Sequence, residues 1–398
     1  MGARLQRALC CSLVTVTCCF LVISFTPELV AELSSNPLQV VSRLIMRSQY
    51  HRGRNDTGLN EGANMTLKTS SSRSGSSVAQ KKSPSTAASP TNQTATLLSG
   101  LNAFECTKQT SWINQCAKSC VSGSGPVPRI AHVIQIGDKM GFTQWLSITS
   151  AIKFLHPRVV FLHHIGKLST CWARRIQSHP LVQLNEVQRS SLPTALNGAT
   201  VQFLAHLSDF MRTAALWQYG GVYMDVDAIL TKPFDPLLTA EAVFSRQIDG
   251  TIGNGLIVAR KNSCFMCAYS QRMCKDYDGS WAKHSVLAVT SLLGNAKRYP
   301  AVTVLPHKSG FFPYSWYVND LTLLFRRDAK DSSFSPGSVY AIHLYNSALQ
   351  THGMASASQY SAIGASKTPF ALAARSVLPP SFNASYADET KCLQIPLA

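Results

Sequence analysis

Two aspartates, Asp225 and Asp227, stand one residue apart in the apolar run VYMDVDAIL at 222–230, a spacing that suits metal binding. In an extended strand, alternation would place Tyr223, Asp225 and Asp227 on one face. Two neighbouring carboxylates on a mostly apolar strand are costly to bury without a partner. A divalent cation such as Mn²⁺ or Mg²⁺ would remove that cost and keep open positions for phosphate oxygens. The pattern favours a metal site, although an acidic strand end in solvent also fits.

The segment before these aspartates has the pattern of a helix. Ser208 predicts an N-cap for a helix from Asp209 to about Tyr219, and Gly220 and Gly221 predict its end. Asp209 and Arg212 are three residues apart, so they share one helical face. This pair fits either a binding site or an exposed salt bridge.

Upstream, short apolar runs alternate with helical spacing, which is typical of an α/β domain. The sequence predicts a helix over Phe142–Leu155, with strands over Ile130–Ile136, Val159–His163 and Val182–Leu184. The alternation of strand, helix and strand predicts that these strands lie in a sheet flanked by helices.

The N-terminus predicts a membrane anchor. Ala8–Phe25 contains no charged residue and follows Arg4 and Arg7. As a helix it would span about 27 Å, enough for a bilayer core. We therefore expect a cytoplasmic tail over 1–7, a transmembrane signal anchor over 8–26, and the remaining chain on the lumenal side. A cleaved signal peptide is the alternative.

Residues 27–104 predict a Ser/Thr-rich, disordered lumenal stalk. Fifteen of residues 68–100 are Ser or Thr, and such a stretch cannot bury enough apolar surface to offset its ordering entropy. N-glycosylation sequons in the stalk support lumenal exposure, and one more lies near the C-terminus. The four sequon asparagines are Asn55, Asn64, Asn92 and Asn383.

Cysteine content and charge narrow the function classes. Eight cysteines follow residue 104, and an even count beyond a membrane anchor predicts disulfides. Cys264-x-x-Cys267 lacks the second half of a zinc site. The net charge is +17, yet no basic run after residue 104 exceeds two residues, so we expect no nucleic-acid partner.

The motifs around the aspartates resemble the sugar-nucleotide-binding region of the DXD glycosyltransferases of family 32. That family includes the α-1,4-galactosyltransferases and α-1,4-N-acetylglucosaminyltransferases of the Golgi. The resemblance covers roughly residues 128–350 and departs from many relatives at Gln135 and Ile136. The blocks that carry it are HLSDFMR (206–212), LWQYGGVYMDVD (216–227), IGNGL (252–256), GSWAKH (279–284), FFPYSW (311–316) and VYAIHLYN (339–346).

The resemblance implies a GT-A-type, Rossmann-like α/β domain over 105–398, with the donor-binding part at about 128–240 and a C-terminal part at about 241–398. It implies that Asp225 and Asp227 act in catalysis by contacting metal, ribose and diphosphate, with His343 as a further metal ligand and Asn346 as its substitute. Residues implied to bind or adjoin the donor are Asp209, Arg212, Tyr223, Asn254 and Gly255. Trp281 and His284 are implied to line the acceptor or donor pocket.

The implied protein is a single-pass type II Golgi membrane enzyme. It would use Mn²⁺ or Mg²⁺ to move a hexose or N-acetylhexosamine from a UDP-sugar to a glycan hydroxyl on glycolipid or glycoprotein, with retention and an α-linkage. Retention would need either a carboxylate nucleophile or front-side attack within one ion pair, and the sequence does not choose between them. No nucleophile is named, because Asp276, Asp278 and Asp320 have no assigned placement. A catalytically inactive, anchored lectin and a secreted enzyme are the alternatives.

Overall fold

The computed structural model describes residues 125–379 except 296–297 and 326–333, together with Phe104, Cys106, 111–116, Phe382 and 392–394. The chain divides into two units, residues 1–84 and 85–398, and all described residues belong to the second. The predicted anchor and the four sequon asparagines lie outside the described residues, as does the predicted stalk apart from its last residue, Phe104. Within the described part, no helix is both long and apolar enough to cross a membrane.

Eleven strands and nine α-helices form the described fold. The strands are β1 (Ile130–Ile136), β2 (Val159–Ile165), β3 (Val182–Glu186), β4 (Ala195–Leu196), β5 (Ala199–Thr200), β6 (Gly221–Met224), β7 (Ala228–Leu230), β8 (Ala242–Arg246), β9 (Ile252–Ala259), β10 (Val302–Leu305) and β11 (Ala341–His343). The helices are α1 (Trp112–Gln115), α2 (Phe142–Leu155), α3 (Cys171–Gln177), α4 (Leu204–Tyr219), α5 (Cys264–Asp276), α6 (Ala288–Leu293), α7 (Val318–Phe325), α8 (Asn346–Thr351) and α9 (Pro369–Val377).

Seven strands form a mixed sheet in the order β10-β8-β9-β6-β1-β2-β3. Within it β9 is antiparallel to both neighbours, β6 and β8, while the other pairs are parallel. The expected α/β architecture is therefore confirmed. Strand β6 lies at the centre of this sheet, between β1 and β9, and it leads directly into Asp225.

Side-chain alternation in β6 divides the core between the two sheet faces. Val222 and Met224 join one apolar cluster with Trp145 of α2. Tyr223 points the other way and joins a second cluster with Phe210 of α4. Both faces of β6 are thus buried, which fixes the strand that precedes Asp225.

The predicted helix before the aspartates is longer than expected. Helix α4 begins at Leu204, with Phe203 as its N-cap, so Ser208 lies inside the helix and is not its cap. Leu207 is fully buried, and its packing against the second core cluster extends the helix N-terminally. The predicted end is confirmed at Gly220, where φ is 67°. A Cβ there would lie 2.5 Å from the amide nitrogen of Lys261, so glycine is required.

The predicted strand over 222–230 is interrupted. It separates into β6 and β7, joined by a turn over Asp225–Asp227 in which Ala228 N donates to Asp225 O at 3.0 Å. The prediction that both aspartates lie on one face of a continuous strand is therefore wrong. The turn arises because β7 leaves the main sheet and pairs with β11 in a separate two-stranded sheet.

The upstream elements follow the sequence closely. Strand β1 and helix α2 have the predicted bounds, while β2 continues to Ile165 and β3 to Glu186. Both strands run on because parallel pairing extends along them, as far as His164 opposite Glu186.

The cysteines are oxidised, as expected. Three disulfides are described: Cys106–Cys274, Cys116–Cys267 and Cys171–Cys392. Cys264 is also disulfide-bonded, so neither cysteine of the 264–267 pair is free to bind zinc. Two of these bonds attach the segment before residue 117 to α5.

Candidate active site

Strand pairing brings a distant histidine to the aspartate turn. In the β7–β11 pair, His343 stands opposite Ala228, the residue after Asp227. His343 Nε2 lies 3.2 Å from Asp225 Oδ2 and 3.2 Å from Asp227 Oδ1. The three side chains therefore converge at the edge where β6 ends.

These three residues fit a divalent cation. Their candidate ligand atoms, two carboxylate oxygens and one imidazole nitrogen, all lie within 4.8 Å of one another. This donor set suits Mn²⁺ or Mg²⁺ with further ligands supplied by phosphate. Burial would lower the pKa of His343, but the adjacent Asp227 and Asp225 carboxylates outweigh it and raise that pKa.

Main-chain hydrogen bonds position both aspartates. Asp225 N donates to Gly255 O at 2.7 Å, and a Cβ on Gly255 would meet Asp225 Oδ2 at 2.6 Å. The amide of Asn346, the first residue of α8, donates to Asp227 Oδ2 at 2.8 Å. Gly255 thus holds the main chain of Asp225, and the Asn346 amide holds the carboxylate of Asp227.

Arg212 links the aspartates of two elements. Its Nη2 lies 3.3 Å from Asp209 Oδ1 on α4 and 3.4 Å from Asp225 Oδ1. Its Nη1 donates to Asn254 O at 2.7 Å. Arg212 and Asp209 are about 5% and 6% exposed, so their pairing is buried and is not a surface salt bridge. Burial would raise the pKa of both aspartates, but Arg212 and neighbouring hydrogen bonds hold each pKa below its ordinary value.

Tyr223 holds the Asp225 carboxylate through a hydrogen bond. The phenol is fully buried, donates to Asp225 Oδ1, and lies 3.2 Å from Ser208 Oγ. The Arg212 guanidinium lies over its ring, 4.4 Å from the centroid. Tyr223 therefore contacts the metal-site carboxylate, and Ser208 belongs to the same hydrogen-bond network.

A second polar cluster surrounds Asp209. Asn254 Nδ2 donates to Asp209 Oδ1 at 2.9 Å, and His284 Nε2 lies 3.1 Å from Asp209 Oδ2. His284 is fully buried, whereas Trp281 is 50% exposed and packs edge-on against Phe203, with centroids 5.3 Å apart. Of the two predicted pocket residues, His284 is thus joined to Asp209 and Trp281 lies at the surface.

Sequence reasoning missed Ser208 and His206 as members of this site. His206 precedes Asp209 by three residues, so the row His206, Asp209, Arg212 on one helical face was the available signal. The unassigned carboxylates lie elsewhere: Asp276 pairs with Arg272, Asp278 with Lys283, and Asp320 accepts from Ser315.

The α/β fold thus carries a candidate metal site at Asp225, Asp227 and His343, and the chain was compared with known families. The model of the glycosyltransferase sugar-binding region containing the DXD motif matches residues 162–244. This match confirms the resemblance to the DXD glycosyltransferases of family 32 that the sequence motifs indicate.

Two curated relatives illustrate the likeness. Glucan organizing enzyme 1 of Cryptococcus neoformans var. grubii is 26% identical over 242 residues, which cover 57% of this chain and 61% of the relative. The human lactosylceramide 4-alpha-galactosyltransferase is 25% identical over 260 residues, covering 56% of this chain and 70% of the relative. The chain thus spans less than two thirds of the fungal relative.

Among solved structures, the galactosyltransferase LgtC, in complex with donor and acceptor sugar analogs, shares 11% identity with this chain. The alignment covers 65% of this chain and 99% of LgtC at a TM-score of 0.36. So low a score supports no conclusion about donor or acceptor.

Proposed function

We propose that the protein is a metal-dependent glycosyltransferase that moves a sugar from a UDP-sugar to a glycan hydroxyl. The observation that carries the proposal is the convergence of Asp225, Asp227 and His343 beside the buried pair Asp209 and Arg212. A metal site alone would fit many enzymes. A metal site joined through Arg212 to a second buried carboxylate offers separate places for a diphosphate and for a sugar.

Asp225, Asp227 and His343 would hold the cation, which would offset the negative charge that develops on the departing diphosphate. Tyr223 and the main chain of Gly255 hold Asp225 in one orientation before substrate arrives. Such preorganisation lowers the cost of reorganising charges during the reaction. Asp209 accepts a hydrogen bond from a hydroxyl of the donor sugar. Arg212 keeps Asp209 and Asp225 at a fixed separation.

We further propose a GT-A-type fold for the described domain, retention at the anomeric carbon, and an α-linked product. The donor is a UDP-hexose or UDP-N-acetylhexosamine, and the acceptor is a glycan on glycolipid or glycoprotein. The lactosylceramide named for the human relative makes glycolipid the first acceptor to test. The disulfides support an oxidising compartment, in line with a lumenal Golgi enzyme anchored by residues 8–26.

The test measures UDP release by the full-length protein with UDP-galactose, UDP-N-acetylglucosamine, UDP-N-acetylgalactosamine or UDP-glucose, with Mn²⁺ or with chelator. Lactosylceramide and free lactose serve as acceptors. Asp225→Ala and Asp227→Ala are the inactive controls.

Turnover of one donor that requires metal and is absent from both controls would support the proposal. Glycan binding by a folded protein that binds no UDP and turns over no donor would contradict it and favour the anchored lectin. Metal-independent turnover in all three proteins would exclude the assigned metal site.

A further inference from the structure

His206, Asp209 and Arg212 form a buried polar row along one face of α4. At one end Arg212 reaches the metal-site carboxylate Asp225. At the other end His206 packs against His284, with ring centroids 4.3 Å apart. Asp209 lies between these ends and contacts both Arg212 and His284. The row therefore leads from the proposed diphosphate site to a pair of buried imidazoles.

The hydrogen bonds of Tyr277 show which ring nitrogen of His206 carries a proton. Tyr277 OH donates to Thr200 O at 3.2 Å, which uses its one proton. The same phenol oxygen lies 3.0 Å from His206 Nδ1 and therefore accepts from it. His206 thus carries a proton on Nδ1.

His284 is constrained in a different way. Its Nε2 faces Asp209 Oδ2 at 3.1 Å, and an ionised carboxylate only accepts hydrogen bonds, so Nε2 carries a proton. Its Nδ1 is buried and has no hydrogen-bond partner among the residues that the structure describes. The surrounding rings of His206, Tyr277 and Phe210 have centroids 4.3, 5.0 and 5.6 Å away. Since an N–H at Nδ1 would have no acceptor there, this aromatic cage selects the tautomer that donates to Asp209.

The backbone around His284 is also unusual. Residues Lys283–Leu287 form a π-helical turn, in which Leu287 N donates to Ala282 O at 2.9 Å. Such turns are rare and occur frequently at functional sites. The π-helical turn therefore gives His284 a position that an ordinary α-helical turn would not give.

We propose that His284 is a positioning residue for the donor sugar, holding Asp209 in the one orientation that receives a sugar hydroxyl. Asp209 Oδ1 already accepts from Asn254 and faces Arg212, while among the described residues Oδ2 has only the His284 contact. A lone pair on Oδ2 therefore stays available for the sugar. This inference rests on the proposed function and extends it: His284 adds to the affinity for a UDP-sugar and not to the affinity for UDP.

Two substitutions separate this role from a merely structural one. In His284→Gln the side-chain amide reaches the position of Nε2 and still donates to Asp209. In His284→Asn the shorter side chain places its amide at the position of the imidazole Nδ1, so it cannot reach the Asp209 carboxylate. Both replace imidazole by an amide, so they form a matched pair that differs in reach.

The experiment measures the dissociation constants of UDP and of the accepted UDP-sugar with Mn²⁺, for the full-length wild type and both variants. A hydrogen bond to a charged group is worth enough for about a 10- to 100-fold change. We expect His284→Asn to weaken UDP-sugar binding by that factor with UDP binding unchanged, and His284→Gln to stay near wild type. In kinetics, His284→Asn should raise KM for the donor more than it lowers kcat.

An unchanged ratio of UDP-sugar to UDP affinity in His284→Asn would overturn the inference, as would an equal loss of both affinities. If His284→Asn does not fold, His284→Leu, which also removes the donor to Asp209, is combined with Asp209→Asn. Additive effects of these two changes would likewise overturn the inference, because coupled residues give non-additive ones. Wild-type protein that binds neither UDP nor UDP-sugar would instead refute the proposed function itself.

Discussion

Gly255 and Asp225 stand so close that a single methyl group between them would collide: a Cβ on Gly255 would lie 2.6 Å from Asp225 Oδ2. The carboxylate has little room to retreat, because Tyr223 and His343 hold its two oxygens. The same Cβ would lie 3.1 Å from His343 Nε2. The candidate metal site therefore requires a residue without a side chain at position 255.

Gly255→Ala should therefore weaken Mn²⁺ binding and UDP release by about 10-fold or more, since an overpacked contact costs about 1–3 kcal/mol. Titration calorimetry with Mn²⁺ and the UDP-release assay provide the measurements. Gly125→Ala is the matched control, because a Cβ there meets nothing within 4 Å. Equal Mn²⁺ affinity in the two variants would contradict the prediction.

Tyr223→Phe removes the phenol that donates to Asp225 but keeps the ring in the core. A hydrogen bond to a carboxylate contributes about 1.5–3 kcal/mol, so we expect Mn²⁺ affinity to fall about 10- to 100-fold. Circular dichroism should remain that of the wild type. Tyr299→Phe is the control, because the ring of Tyr299 packs edge-on against Phe265 and not against Asp225. The assignment of Tyr223 fails if the two variants bind Mn²⁺ equally well.

Arg212→Met leaves Asp209 and Asp225 without their shared cation. Breaking a buried ion pair by removing one partner costs about 3–5 kcal/mol, because an uncompensated charge stays buried. We expect a clear fall in Tm and loss of UDP-sugar binding. Arg129→Met disrupts an exposed pair with Asp235 and should leave Tm nearly unchanged. Similar Tm values for the two variants would show that the ion pairs of Arg212 do not stabilise the fold as predicted.

A chain of hydrogen bonds crosses β1, β2 and β3. Asn185 Nδ2 lies 2.9 Å from His163 Nδ1, His163 Nε2 lies 3.1 Å from His132 Nδ1, and His132 Nε2 lies 3.0 Å from Gly220 O. Because Gly220 O only accepts, the chain has one direction, in which each imidazole donates toward Gly220 and stays neutral. It ties three strands to the turn that ends α4.

This chain predicts a loss of stability in acid. Burial lowers the pKa of His132 to about 4, although the Gly220 carbonyl partly opposes it, and burial with nearby His132 and His164 lowers the pKa of His163 well below its ordinary value. The unfolded chain then binds protons first as pH falls, so the free energy of unfolding decreases between about pH 6.5 and about pH 4. For His132 the loss is on the order of 3 kcal/mol.

Urea unfolding at several pH values within that window provides the measurement. His132→Gln retains an amide donor for Gly220 but cannot take up a proton, so its stability should depend less on pH. His307→Gln serves as the control, because His307 is half-buried and does not belong to this chain of hydrogen bonds. The same pH dependence in wild type and His132→Gln would rule out this contribution.

The sequence alone determined the local chemistry: the Asp225 and Asp227 pair, the Asp209 and Arg212 spacing, and the glycines that end α4. It determined these because apolar alternation, helical periodicity and glycine conformations depend on neighbouring residues. Only the tertiary structure decided that the strand breaks at Asp225–Asp227 and that His343, 118 residues after Asp225, completes the candidate metal site. Pairing between β7 and β11 and the packing that buries Arg212 between two carboxylates are long-range contacts, so no local pattern could specify them.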